Sequence, residues 1–523
     1  MVSTTIASCP EAAATLAAMK GTMARSGSSR PWVQWNSILV NWPTSRVVIA
    51  STGQTSLREP GRGGLVARTR MVVVGGDAAG MSSATQARRR RPAEELEIVA
   101  FERGPHVSYS ACGLPYYAGG VVKDWRDLVA RTPEEFAGQD IEVRARHEVD
   151  AIDLEARRVR VRDLDGGRVV EEPWDVLVVA TGSEPLRPPI DGIDLPGVYG
   201  LSVLQDGIEL RKAIDAGPER AVVVGGGYIG LEVAEALVSR GVATALVEAA
   251  PQVMNRIDPD MGEVVSEAVR DIGVELYLEE EVAAIEGDGR VRAVRTAART
   301  LEADLVVLGL GTRPNVALAE SSGIQLGPSG AVAVNARMQT AHDGVWAAGD
   351  CAETRHIVSG ERVSFHLGTI ANKQGRVCGI NIGGGYATFP GVLGTAVSKV
   401  CEVEVARTGL SEAELRELGL EWEQTAVDST TRAGYFPGAD PIRTKVLAER
   451  RTGRLLGGQI VGREGAAKRI DVLATAIWNG MAVDEMVNLD LSYAPPFSPV
   501  WDPVLIAVRK LAEQVERSLP ACQ

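Results

Sequence analysis

One pattern occurs twice in this chain and constrains its fold more than any other feature. Met71–Gly80, "MVVVGGDAAG", runs from an apolar strand into a glycine-rich turn. "MSSATQARRRR" then reads as a helix, and "LEIVAFE" as a second strand ending at Glu102. From Arg220 the same order returns in "RAVVVGGGYIGLEVAEALVSRGVATALVE", which ends at Glu248. Two βαβ units in one chain predict an α/β protein with two dinucleotide-type domains built on parallel sheets.

The turns carry the chemistry. Gly225, Gly227 and Gly230 fit G-x-G-x-x-G directly after a strand. The first glycine permits the tight turn, and the second lets a pyrophosphate approach the backbone at a helix N-terminus. The third packs helix on strand. Glu248 lies 18 residues beyond Gly230, where an acid accepts from the adenosine ribose hydroxyls. A carboxylate there repels a 2′-phosphate, which favours NADH over NADPH. The first turn departs from the pattern. Gly75 and Gly80 are present and Glu102 follows, but the middle position is Asp77. Its side chain narrows the space beside a pyrophosphate, and a carboxylate aimed there would be repelled.

Composition excludes other classes. A net charge of −13 argues against nucleic acid as a general partner, because phosphate binding needs a basic face. The six cysteines (9, 112, 351, 378, 401, 522) form no CxxC, and no Cys/His cluster has zinc spacing. That scatter predicts a reducing, cytoplasmic setting and no structural metal. No run of 18 apolar residues predicts a membrane span. Residues 1–65 are rich in Ser, Thr and Ala and poor in acids, and read as a disordered or mis-started extension. After Gly391 the segments "GTAVSKVCEVEVARTG", "IRTKVLAE" and "RLLGGQIVG" alternate as antiparallel strands do, and "AAKRIDVLATAIWNG" has helical spacing. They predict a third, α+β domain.

Residues Met71 to Lys510 resemble the flavoprotein reductases with two dinucleotide domains. "VVATGSEP" (Val178–Pro185), with Thr181 and Gly182, looks like the crossing motif after the first domain. "GVWAAGDCAE" (Gly344–Glu353) looks like the second flavin motif, and "ANKQGRVCGINI" like the helix that follows. The resemblance implies FAD in the first unit and NAD(P)H in the second. It places Asp350 on the ribityl chain and Glu232, in "GYIGLE", near the nicotinamide. The implied division is 66–186 and 313–390 for the FAD-binding domain, 187–312 for NAD(P)H and 391–515 for a dimerisation domain.

Within that family the stretch "VSYSACGLPYYAGG" sorts the subgroups. It holds Cys112, but Tyr117 stands where many members carry a second cysteine. Ala78 stands where single-cysteine peroxidases carry a histidine, and "LSYAPPFSPVWDP" lacks the histidine of two-cysteine members. What remains is similar to coenzyme A-disulfide reductases, whose "SxxxCxLPY" frame is met by Ser108, Cys112, Leu114, Pro115 and Tyr116. That likeness implies a homodimer in which Tyr435 and Tyr493 approach the thiol of the other subunit. It implies substrate contacts at Ser82, Gln86, Arg89 and Ser108. Arg88–Arg91 are candidates to meet the nucleotide phosphates of coenzyme A. Two positions depart: Ala111 replaces a frequent Asn, and no substrate-contacting Lys lies near Phe136.

A single thiol that receives two electrons must share its oxidised state with another partner. That state is a mixed disulfide with a small thiol, or a sulfenic acid made by peroxide. Either role calls for a low thiol pKa, which the flavin site and tyrosine hydroxyls would supply. The same scaffold also fits an NADH oxidase, or a per- or polysulfide reductase, and more remotely an electron carrier to a redox protein.

Overall fold

The computed structural model describes residues 68–518; the predicted extension, residues 1–65, lies outside them. Strand Thr69–Val74 buries Met71 to Val74 completely or nearly so, because helices cover both faces of a parallel sheet. It pairs in parallel with Leu96–Glu102 on one side and Val176–Val179 on the other. Glu142–Ala145 and Val345–Ala347 complete the five-stranded sheet. The second sheet repeats this plan around Arg220–Val224, between Ala243–Glu248 and Leu305–Leu308. Both predicted Rossmann-like units are present.

Two helices of the first unit pack unusually closely. On helix Gly368–Ile382, a Cβ at Gly375 would meet the Ala79 carbonyl oxygen at 2.3 Å. At Gly379 it would meet the Ser83 carbonyl oxygen, again at 2.3 Å. Glycines four apart lie on one helix face. They bring the helix of "ANKQGRVCGINI" against Ala78–Arg88, so the second flavin motif reaches the first glycine turn.

The chain crosses between the two units twice, and the crossings bind each other. Ser183–Pro185 pairs antiparallel with Thr312–Pro314. Thr181 Oγ1 donates to the Asn315 carbonyl at 2.7 Å, and Asn315 N donates to the Gly182 carbonyl at 2.9 Å. Gly182 has φ +71°, a conformation that favours glycine.

The third domain is a five-stranded antiparallel sheet with Leu455–Gly462 at its centre. Helices Ile470–Trp478 and Pro503–Ser518 cover one face through Leu473, Ile477, Val508 and Leu511. The other face meets the second dinucleotide-type unit, where Val405 and Val461 join that unit's core. Successive strand residues face opposite ways, so Val446 enters the helical side and Lys445 the other. Lys445 is buried among Asp258 at 3.1 Å, Asp260 at 2.7 Å and Glu412 at 2.6 Å. Ion pairing holds its pKa above the ordinary value although burial pulls it down. Among the described residues no helix is long and apolar enough to cross a membrane.

Removing one member of a buried ion cluster leaves uncompensated charge. Lys445→Leu should therefore lower stability by about 3–5 kcal/mol in urea unfolding followed by fluorescence. A loss below about 1 kcal/mol would mean that the cluster does not tie the domains.

Candidate functional site

Backbone sterics explain the glycines of both turns. Gly75 has φ +112°, and a Cβ there would meet the Ala180 carbonyl oxygen at 2.1 Å. Gly225 repeats this with φ +104° and the Gly309 carbonyl oxygen at 2.5 Å. Side chains at Gly80 or Gly230 would meet the first glycine's own carbonyl oxygen at 2.0 and 1.9 Å. Gly227 differs: a Cβ there meets only the Gly309 carbonyl oxygen, at 3.9 Å. Its space is open, as the approach of a diphosphate requires.

The two acids are held identically. Glu102 accepts from Gly76 N at 2.8 Å and Gly104 N at 2.7 Å. Glu248 accepts from Gly226 N at 2.6 Å and Ala250 N at 2.8 Å. Each carboxylate oxygen keeps lone-pair capacity for a ribose hydroxyl. Turns, free helix N-terminal N–H groups and pinned acids fit two dinucleotides.

Asp77 resolves differently from the sequence-based expectation. Its carboxylate turns toward the cysteine loop and accepts from Tyr109 N at 3.1 Å. Burial pushes its pKa up to about 7 against the pull of that N–H, with Glu102 and Asp350 adding to the rise. Asp350 accepts from Ser183 Oγ at 2.9 Å. Burial raises its pKa, while nearby His366 works the other way. His366 Nδ1 lies 2.6 Å from Thr312 Oγ1, which links the second flavin motif to a crossing strand.

Cys112 lies in a 3-10 turn, Ala111–Gly113, before helix Leu114–Ala118. Three amides fix the approach to it. Ser108 N donates to the Gly76 carbonyl at 2.9 Å, Tyr109 N to Asp77, and Ser110 N to the Leu128 carbonyl at 2.8 Å. Ser108 takes φ +48° to make this turn. A Cβ at Gly113 would meet Leu128 Cδ2 at 2.3 Å, so a larger residue there would have to move the Leu128 side chain. Among the described residues Cys112 is the exposed cysteine, while Cys351, Cys378 and Cys401 are buried. Tyr117, at the position of the missing second cysteine, is packed in the core under the Arg211 guanidinium, 5.5 Å away.

The thiol's surroundings oppose the expectation of a low pKa. Packed protein around Cys112 raises its pKa, and the Glu232 carboxylate raises it further. Glu232 accepts from Ser398 Oγ at 2.8 Å, so the third domain holds a carboxylate of the second unit near the thiol. Burial also raises the pKa of Glu232. Tyr116 shares this neighbourhood; burial, Glu232, Glu235 and Cys112 all raise its pKa. The sequence frame includes Tyr116 but assigns it no role, and Ser398 carries no local signal at all.

The remaining candidates separate. Tyr435 and Tyr493 are 78% and 46% exposed. They are mutual neighbours: burial and then the Tyr435 hydroxyl raise the pKa of Tyr493. Neither bonds to Cys112 of its own chain among the described residues. Ser82 Oγ donates to Asn372 Oδ1 at 2.7 Å, and Gln86 Oε1 accepts from Arg90 at 2.9 Å. Arg88 donates to the carbonyls of Arg91, Leu96 and Asp140, and Arg91 to Thr69 Oγ1. Of the four arginines, Arg89 is exposed and makes no side-chain bond among the described residues.

Fold and site together define an oxidoreductase with two dinucleotide sites and a separate dimerisation domain. Residues 69–375 match the family described as pyridine nucleotide-disulphide oxidoreductase, and residues 395–503 match its dimerisation domain. The chain belongs to this FAD-dependent family. It is 39% identical over 446 residues to an NAD(P)H sulfur oxidoreductase (CoA-dependent) of Pyrococcus abyssi, covering 84% of this chain and 98% of that protein. It is 36% identical to an NADH oxidase of Methanocaldococcus jannaschii, covering 84% and 97%. It is 30% identical to a coenzyme A disulfide reductase of Staphylococcus epidermidis, covering 82% and 96%. The crystal structure of reduced Bacillus anthracis CoADR-RHD superposes with a TM-score of 0.83 at 36% identity, covering 86% of this chain and 81% of that one.

Because the Glu232 carboxylate disfavours a thiolate beside it, neutralising it should lower the Cys112 pKa. Alkylation of Cys112 by iodoacetamide, followed against pH by peptide mass spectrometry, should shift its midpoint downward in Glu232→Gln. An unchanged or raised midpoint would contradict the placement of Glu232 near the thiol.

Proposed function

We propose that this protein is an NADH-dependent disulfide reductase acting on coenzyme A disulfide or a related small disulfide. Cys112 is the nucleophile. The observation that carries this reading is an exposed thiol with no cysteine partner among the described residues, held by the first glycine turn and neighboured by the Glu232 carboxylate. The working division is 66–186 with 313–390 for FAD, 187–312 for NADH and 391–515 for the dimer contact.

FAD, when bound, supplies the two-electron relay between NADH and a thiol. The chain's residues do the rest. The turns at Gly75–Gly80 and Gly225–Gly230 would hold the diphosphates, Glu102 and Glu248 the riboses, and Asp350 the ribityl chain. Glu232 would serve the nicotinamide side. Thr181 and Gly182 zip the crossings so that both sites keep one geometry. The Cys112 thiolate attacks one sulfur of the substrate disulfide, forming a mixed disulfide and releasing one thiolate. Two electrons and two protons then return the Cys112 thiol and the second small thiol. In a homodimer, Tyr435 and Tyr493 of the partner subunit tend this sulfur, and one protonates the leaving thiolate. Arg89, with Ser82, Gln86 and Ser108, lines the approach of an anionic nucleotide thiol.

Purified protein should reduce coenzyme A disulfide with NADH. Cys112→Ser should lose this activity by about 1,000-fold or more. Equal turnover by both proteins would overturn the mechanism. The likeness to an NADH oxidase supports a second reading. Oxygen consumption with NADH alone, far above disulfide reduction, would favour it.

A further inference from the structure

The first glycine turn carries a carboxyl group where the second has open space, and the site's charges decide its state. Three acids converge here: Asp77, Glu102 and Asp350. Glu102 is committed to two backbone N–H groups, and Asp350 to Ser183 with His366 beside it. The Asp77 side chain accepts one hydrogen bond from outside its own turn, on Oδ1 from Tyr109 N. Tyr109 and Cys112 face it from the cysteine loop, and neither is a cation. No arginine or lysine bonds to it among the described residues. A diphosphate seated on this turn brings further negative charge to the acid with the fewest donors.

We propose that Asp77 is a FAD-binding residue that acts as a neutral carboxylic acid. Oδ1 keeps the Tyr109 N–H, and a proton on Oδ2 is donated to a diphosphate oxygen. This rests on the FAD-dependence of the family and deepens it. It turns the departure from G-x-G-x-x-G into a contact that joins the cofactor site to the cysteine loop. It also explains how a carboxyl group is tolerated beside a diphosphate: once protonated it donates rather than repels.

The binding is then linked to a proton. Burial pushes the Asp77 carboxyl up to about 7, and a bound diphosphate would raise it further. Below about pH 7 both states are protonated and affinity is flat. Above it FAD binding takes up one proton, so the dissociation constant should rise by about tenfold per pH unit.

The test dilutes holoenzyme at pH 6 to 9 and reads released FAD by flavin fluorescence. The unaltered chain should show the rise above pH 7, with about one proton released per FAD lost. Asp77→Asn and Asp77→Gly should bind FAD with no such slope. If Asp77→Asn does not fold, Asp77→Gly and direct proton counting on the unaltered chain decide the matter. A flat profile in the unaltered chain overturns the proposal, as does a slope that persists in either variant. Persistence would assign the proton to another group such as His366. Holoenzyme that carries no FAD at any pH would instead overturn the FAD-dependence on which the proposal stands.

Discussion

The contact on which the rest of the site depends is the docking of the cysteine loop on the first glycine turn. Two consecutive amides, Ser108 N and Tyr109 N, reach back to Gly76 and Asp77. A backbone hydrogen bond has little freedom in direction, so this pair sets where Cys112 stands relative to the helix that caps the turn. Ser108 accepts a left-handed conformation to make it. The sulfur's place is thus tied to the first glycine turn.

A second layer of long-range bonds positions the NADH side. Ser398 holds Glu232, and Glu235 accepts from Cys401 N at 2.8 Å. Lys445 gathers Asp258, Asp260 and Glu412 across the same junction. The third domain is therefore more than a surface for a second subunit. It sets carboxylates of the second dinucleotide-type unit in place, and one of them lies near the thiol and raises its pKa. In the chain alone, acids dominate around Cys112. A low thiol pKa would need a further contribution from outside this chain's own residues.

Much of this was legible in the sequence, for steric reasons. Gly75, Gly80, Gly225 and Gly230 announce themselves because a Cβ at Gly80 or Gly230 would strike the first glycine's own carbonyl, and one at Gly75 or Gly225 the backbone at the end of the neighbouring strand. Glu102 and Glu248 are legible because each ends the strand that follows the turn's helix. Alternating apolar runs marked the third domain's strands. Asp77 was legible as an anomaly, but its direction depends on Tyr109, 32 residues away. The Ser398–Glu232 bond spans 166 residues, and local pattern carries no trace of it. Tyr435 and Tyr493 came from resemblance; their adjacency is a product of the fold. The rise in the Cys112 pKa was not legible, because burial, its largest cause, and the Glu232 carboxylate both come from packing between segments far apart in the chain.

The central claim is that the sulfur missing beside Cys112 is supplied by the substrate. Denaturing mass spectrometry of the protein as isolated, without reductant, tests it most directly. The account predicts a disulfide adduct on the peptide holding Cys112, with the mass of coenzyme A, removed by dithiothreitol. A Cys112 found joined to another cysteine of this chain would contradict it.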